Sequence, residues 1–197
     1  MSDRAPRPIL GDAFVGAVAY AVELHRHQAR KGTTIPYLTH LLAVCSLVLE
    51  DGGTEDEAIA ALLHDGPEDQ GGEPILAEIR ARFGDEVATI VDGLSDSMTP
   101  VGSMKEAWRL RKERYLSRLE DESGSVLRVS LADKLHNARS IAVDRAVEGE
   151  RVWDRFHAGE GDQAWYYRQL LDVFERRVPA SRNLPEFRTL VGDLFGA

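Results

Sequence analysis

Apolar residues in this chain recur three and four positions apart, and no segment sustains the strict apolar/polar alternation, over roughly four to eight residues, that marks a half-buried strand. Phe14, Ala17, Val18, Ala21 and Leu24 form one such stripe, which Asp12 can cap and which predicts a helix running to about Gln28. Gly32 and Pro36 then punctuate a loop from Arg30 to Tyr37. His40 opens the next predicted helix, rich in Leu41, Leu42, Val44, Leu47 and Val48, which Asp51-Gly52-Gly53 should close because glycine accepts the left-handed conformation. Thr54 followed by Glu57 is a capping-box pattern for a third helix carrying Ile59, Leu62 and Leu63, with His64-Asp65 at its end. Gly66-Pro67 should terminate or bend that helix and leave Glu68 and Asp69 on a turn.

Further helices follow from Pro74 to Gly84, around Val87 to Leu94, and from a Ser103/Glu106 cap towards Leu119, the last after a loop over 95–102. A helix over about 125–144 sets Asp133 and Asn137 four apart, hence on one face. Trp165 to Phe174 marks another, and Phe187 to Leu194 a last one, at about 184–195. The expected fold class is all-α. At 197 residues the chain supports one substantial core, so one domain over 1–197 is expected, with a motif-bearing core at about 12–178.

Charge narrows the function. With 33 acidic residues against 24 basic ones and a net charge of -9, a broad surface for nucleic acid or an anionic membrane is excluded, while a local phosphate pocket is not. Cys45 is the only cysteine, so neither an intrachain disulfide nor a cysteine zinc cage can form. The N-terminal residues lack the apolar stretch of a signal peptide, and no run approaches a membrane span, so a soluble cytoplasmic protein is expected.

The candidate chemistry lies in His40, His64, Asp65 and Asp133. They come from separate predicted helices, and helices around a common core can converge such side chains. Singly, each has an ordinary role as a cap, a helix-end pair or a surface carboxylate. Together they form a mixed nitrogen and oxygen set suited to manganese, iron, zinc or magnesium. Glu68 and Asp69 follow close behind, and taken alone they read as a solvated acidic turn. Arg30 and Lys31 precede Gly32, where a guanidinium plane could cover a purine or an ammonium could meet phosphate. Lys105, Arg109, Arg111 and Lys112 could reach phosphates from the long helix, but Glu106 and Glu113 interleave them at spacings that favour ordinary helix-surface pairs, which is the preferred reading. Trp165-Tyr166-Tyr167 could wall a nucleotide pocket but reads rather as core, and His25, His27, His136 and His157 receive no site role.

In order, Arg30-Lys31-Gly, Pro36-Tyr37-Leu-Thr-His40, Ala60-Ala-Leu-Leu-His64-Asp65-x-x-Glu68-Asp69, Arg82-Phe-Gly-Asp-Glu-Val and Leu131-Ala-Asp133-Lys-Leu-His-Asn137 resemble the HD-superfamily hydrolase domain of RelA/SpoT homologues. The resemblance covers about 12–178 and is nearest to the small stand-alone alarmone hydrolases, because the chain ends where the bifunctional enzymes would continue into a synthetase domain. It implies a single HD-domain helical bundle with its metal site between core helices. It also implies one manganese ion on His40, His64, Asp65 and Asp133, with Glu68 and Asp69 as catalytic groups and Arg30, Lys31 and Asn137 against the nucleotide. The implied reaction removes the 3′-diphosphate of guanosine tetra- or pentaphosphate, and no protein partner is specified. Gly66-Pro67 departs from the small or β-branched pair usual between His-Asp and Glu-Asp, which predicts an altered pocket wall and altered specificity. Two other readings keep the fold: a phosphohydrolase acting on an adenosine alarmone or the 2′-phosphate of NADPH, and a nucleotide sensor or protein-neutralising partner that binds without turnover.

Overall fold

In the computed structural model, which describes residues 10–95, 106–156 and 158–196, the described residues are all-α. In chain order they form α1 (Asp12–His25), α2 (Leu38–Glu50), α3 (Glu55–Leu63), α4 (Gly66–Gln70), α5 (Glu73–Phe83), α6 (Asp85–Leu94), α7 (Trp108–Leu119) and α8 (Gly124–Glu148). A 3₁₀ segment (Gly149–Arg155), α9 (Glu160–Arg177) and α10 (Leu184–Phe195) complete them. Among the described residues the one β-type pairing is an isolated bridge between Ala29 and Pro36, which ties the neck of the α1–α2 loop. Gly32 turns that loop at φ +74°, as its place in the sequence requires.

The centre of the bundle is α3. Six consecutive residues, Ala58 to Leu63, are at most 1 % exposed, and a helix apolar on all sides belongs at the middle of a core. Around it pack α1, α2, α6 and α8. The Thr54/Glu57 capping box forms as read, fixing where α3 starts and so where His64 and Asp65 emerge. Opposite them, α8 is capped by Ser123 onto the Val126 amide and buries its face from Val126 to Ile141, Asp133 included.

Three local expectations change. Gly11, not Asp12, is the N-cap of α1, and its amide is satisfied by Glu55 Oε1 at 2.6 Å. Pro67 does end the line of α3, but Glu68 and Asp69 sit in the short helix α4 rather than a turn. Proline is at home in a first helical turn, where its missing N–H would have had no partner. Ser103 lies outside the described residues, as does most of the 95–102 loop; α7 begins at Trp108 after Ala107, so Glu106 precedes the helix instead of completing its cap.

A buried ion network holds the rear of the bundle. Arg128 of α8 reaches Asp51 Oδ2 at 3.2 Å and Glu57 Oε1 at 2.5 Å, both carboxylates being nearly fully buried. Asp51 also accepts from Ser181 Oγ (3.0 Å) and the Arg182 amide (2.5 Å), which docks the approach to α10. Arg128→Ala should cost roughly 2–3 kcal/mol in a denaturant titration, near the low end for breaking a buried pair because each carboxylate keeps another donor. An unchanged midpoint would show the network to be dispensable.

Candidate metal centre

Four side chains, from two helices and the end of a third, meet at the bundle's interior. His40 projects from the second residue after the start of α2, His64 and Asp65 follow α3, and Asp133 comes from the middle of α8. His40 Nε2 lies 3.2 Å from Asp133 Oδ1 and 3.6 Å from Asp65 Oδ2. His64 Nε2 lies 3.1 Å from Asp65 Oδ2 and 3.7 Å from Asp133 Oδ1. His40, His64 and Asp65 form the tightest group, with donor atoms within 4.8 Å of one another, and Asp133 closes it by reaching both imidazoles.

This set fits a divalent ion on three grounds. Donors roughly 2.0–2.2 Å from a common cation stand about 3.0–3.5 Å apart, which two of these pairs match and the other two, at 3.6 and 3.7 Å, slightly exceed. The free atom on each imidazole is also determined. His64 Nδ1 donates to the Ala61 carbonyl at 2.8 Å, leaving a buried Nε2 with no hydrogen-bond partner among the described residues. His40 Nδ1 meets His136 Nδ1 at 2.8 Å. Burial, then the charges of His40 and Arg30, pushes His136 down to about 4 and keeps it neutral, able to accept from His40 Nδ1, and with Nδ1 so engaged Nε2 is the His40 nitrogen that faces the carboxylates.

The third ground is charge. Burial opposes ionisation of Asp65, but the His64 charge and the close approach of both imidazoles outweigh it and hold Asp65 well below the usual carboxylate range. Asp133 is likewise held well below it against burial, first by Lys134 and then by the two histidines. Burial would lower His64, yet Asp65 and Asp133 hold it well above an ordinary imidazole. The pocket thus stabilises positive charge at its centre, where a divalent cation can take the place of imidazole protons.

Each carboxylate is also steered. Tyr37 donates to Asp65 Oδ2 at 2.5 Å, and burial together with the charges of Asp65 and Asp69 keeps that phenol protonated by raising it far above its ordinary value. Lys134 Nζ and Asn137 Nδ2 donate to the two oxygens of Asp133 at 2.5 and 2.6 Å. Arg30 in turn holds Asn137 Oδ1 at 2.8 Å and lies over the Tyr37 ring, so Arg30, Asn137 and Asp133 form one chain of hydrogen bonds.

A cleft of about 710 Å³ opens beside the cluster. Tyr37, Lys134, His136 and Asn137, each bonded to one of the four central residues, are part of its wall. Six lysines and arginines line it against one acid, Asp144, in a chain whose net charge is -9. Arg30, Lys31 and Asn137 all belong to the wall of this cleft. Glu68 and Asp69 are half-buried on α4, one turn beyond Asp65, and neither forms part of the cleft wall; Asp69 Oδ2 accepts from Gln28 Nε2 at 2.7 Å.

Sequence reasoning passed over several residues here. Lys112, read as an ordinary surface residue, lines the cleft with its ammonium 5.1 Å from the centre of the Tyr166 ring. Its neighbour Arg109 does behave as read, pairing with Glu113 and Asp162. Lys105 and His157 lie outside the described residues. Tyr166 and Tyr167 are core, as read, and are cleft wall as well. Arg155, which no motif marked, enters the wall from the 3₁₀ segment, paired with Asp144 and Glu148. Tyr37 and His136 did stand inside quoted motifs, adjacent to ligand candidates, and that adjacency was the available signal.

Residues 17–160 match the HD domain family. The chain belongs to that family. Among HD-domain relatives, the guanosine-3′,5′-bis(diphosphate) 3′-pyrophosphohydrolase MESH1 of Xenopus tropicalis is 35 % identical over 128 residues, covering 64 % of this chain and 67 % of the relative. A guanosine-3′,5′-bis(diphosphate) 3′-pyrophosphohydrolase of Aquifex aeolicus is 34 % identical over 137 residues, covering 69 % of this chain and 19 % of the relative. This chain thus spans about a fifth of that longer protein. The solved structure of lmo0812 from Listeria monocytogenes EGD-e superposes with a TM-score of 0.70 at 30 % identity, covering 80 % of this chain and 99 % of that one. A metazoan SpoT ortholog described as hydrolysing ppGpp shares the fold at TM-score 0.77 and 22 % identity over 98 % of this chain and all of that one.

Gly66-Pro67 behaves differently from its predicted role within this HD domain. Both residues are buried, neither lines the cleft, and a Cβ on Gly66 would meet Leu24 Cδ1 at 3.3 Å and Ile75 Cγ2 at 3.5 Å. The pair is therefore packed against α1 and α5 and does not form the wall that was expected to select substrates. Gly66→Thr should lower stability by roughly 1–3 kcal/mol through overpacking, with metal stoichiometry retained. Thermal unfolding checks it, and a shift in substrate preference without a stability loss would restore the wall reading.

Proposed function

We propose that this chain is a metal-dependent phosphohydrolase that removes the 3′-diphosphate of guanosine 3′,5′-bis(diphosphate) and the corresponding pentaphosphate. Manganese is its ion, and GDP or GTP and pyrophosphate are its products. We take the chain as one hydrolase domain over 1–197, with its working core at about 12–178, in the cytoplasm with its nucleotide. The observation that carries this reading is the strongly cationic cleft opening beside the His/Asp cluster in an otherwise acidic chain. The names of the HD-domain relatives support the same substrate.

His40, His64, Asp65 and Asp133 would hold the ion. When bound there, a divalent ion lowers the pKa of a water and polarises a phosphoryl oxygen. Tyr37 keeps Asp65 oriented, His136 keeps the His40 tautomer, and Lys134 with Asn137 keeps Asp133 in place. Lys31, Lys112 and Arg155 meet the phosphates from the cleft wall, while Arg30, anchored by Asn137, meets the nucleotide. The oxygen of a water bonds to the phosphorus carried by the ribose 3′-oxygen, and the P–O3′ bond breaks in line. Glu68 or Asp69 takes the proton of that water, and the departing 3′-oxygen regains one.

Incubating manganese-loaded protein with ppGpp, pppGpp, ppApp and NADPH and separating the products tests the reading. GDP and GTP with pyrophosphate are expected. Preferential turnover of ppApp or NADPH would reassign the substrate, and tight binding without turnover would make the protein a sensor.

A further inference from the structure

Beside the ion cluster, three polar side chains that the reaction above leaves unused, His25, Gln28 and Gln70, converge on Asp69. His25, the last residue of α1, is 2 % exposed. Its Nδ1 lies 2.7 Å from Gln28 Oε1, and Gln70 Nε2 donates to that same oxygen at 2.6 Å. The other end of the amide, Gln28 Nε2, donates to Asp69 Oδ2 at 2.7 Å.

The orientation of every member follows from the carboxylate. Gln28 presents its NH₂ to Asp69, which leaves its carbonyl to His25 and Gln70. A carbonyl only accepts, so His25 carries its proton on Nδ1. The 3.4 Å approach of Gln70 Nε2 to that nitrogen is then a contact between donors and not a hydrogen bond. His25 Nε2 is buried with no hydrogen-bond partner among the described residues, so no competing bond reverses the tautomer. The imidazole face also stacks on Tyr37, with ring centres 5.3 Å apart at 21°, and Tyr37 donates to Asp65. His25 thus bears on both acids, on Asp65 through Tyr37 and on Asp69 through Gln28.

An imidazole with one buried, unpaired nitrogen costs stability that an apolar residue of similar size would not. We propose that His25 and Gln28 are positioning residues that aim the Asp69 carboxylate for proton transfer, with the clamp completed by Gln70. The inference rests on Asp69 taking part in the hydrolysis proposed above.

The test uses the full chain loaded with manganese and ppGpp as substrate. Gln28→Leu should lower kcat about tenfold or more, with KM within about twofold and one ion per chain retained. His25→Leu should fall in the same direction. His25→Asn, whose side-chain NH₂ can stand where Nδ1–H stands, should recover most of the rate. Combining Gln28→Leu with Asp69→Asn should be no slower than Asp69→Asn alone, because a residue acting only through Asp69 has nothing further to remove. Additive losses, a loss confined to KM, or His25→Asn as slow as His25→Leu would overturn the proposal.

A readout independent of turnover separates this inference from the substrate reading. In a crystal structure of Gln28→Leu the Asp69 side chain should leave its wild-type rotamer. Gln28→Glu, a milder change in volume that sets two carboxylates 2.7 Å apart, should displace it too. If the wild-type protein turns over none of the nucleotides the functional reading fails, yet Asp69 unmoved in both variants is what would sink the clamp.

Discussion

Asp65→Ala is expected to abolish stoichiometric metal binding and hydrolysis together. Asp65 belongs to the tightest donor group and lies 3.1 Å from His64 Nε2. Removing it leaves two imidazoles facing a single buried carboxylate whose oxygens Lys134 and Asn137 already engage. Loss of an outer partner typically weakens a metal site by about 10–100-fold, and loss of a ligand should exceed that. Elemental analysis after dialysis, with a circular-dichroism spectrum to establish folding, decides the matter. A folded variant that keeps one ion per chain and full turnover would remove Asp65 from the site.

Glu68→Gln should keep the fold and the ion and lose hydrolysis by on the order of 10²-fold or more, the scale of a positioned acid/base group. Glu68 and Asp69 both lie in the first turns of α4, where the amide preserves volume but cannot carry the proton. The comparison with Asp69→Asn is informative because Asp69 is bonded to Gln28, so the two acids have different surroundings. A near-normal rate for Glu68→Gln, with Asp69→Asn inactive, would assign the proton to Asp69 alone.

Much of this architecture was legible in the chain. The helix start at Thr54 is set by side chains that bond to amides within the same turn, and Gly52 and Gly84 have positive φ at helix ends, so local chemistry suffices there. The run from Ala58 to Leu63 is apolar on every side, which by itself places α3 at the centre of the bundle. His40, His64, Asp65 and Asp133 were legible as candidates because their residue types and helix positions allow convergence. The start of α7 was not, because capping patterns compete with the packing of Trp108 onto Trp165 and Tyr166.

What the sequence by itself determined is the all-helical class, the helix order and the identity of the candidate ligands, since these depend on periodicity and on contacts within a few residues. Only the tertiary structure decided which nitrogen of each histidine is free, that Lys112 and Arg155 join Arg30 and Lys31 in one cationic cleft, and that His25 reaches Asp69 through Gln28. It also decided that Gly66 is packed against Leu24 instead of facing the cleft. The reason is physical. A tautomer, a shared wall and a close approach are properties of groups brought together across tens of residues, and no local pattern encodes which partners the folded core will place beside them.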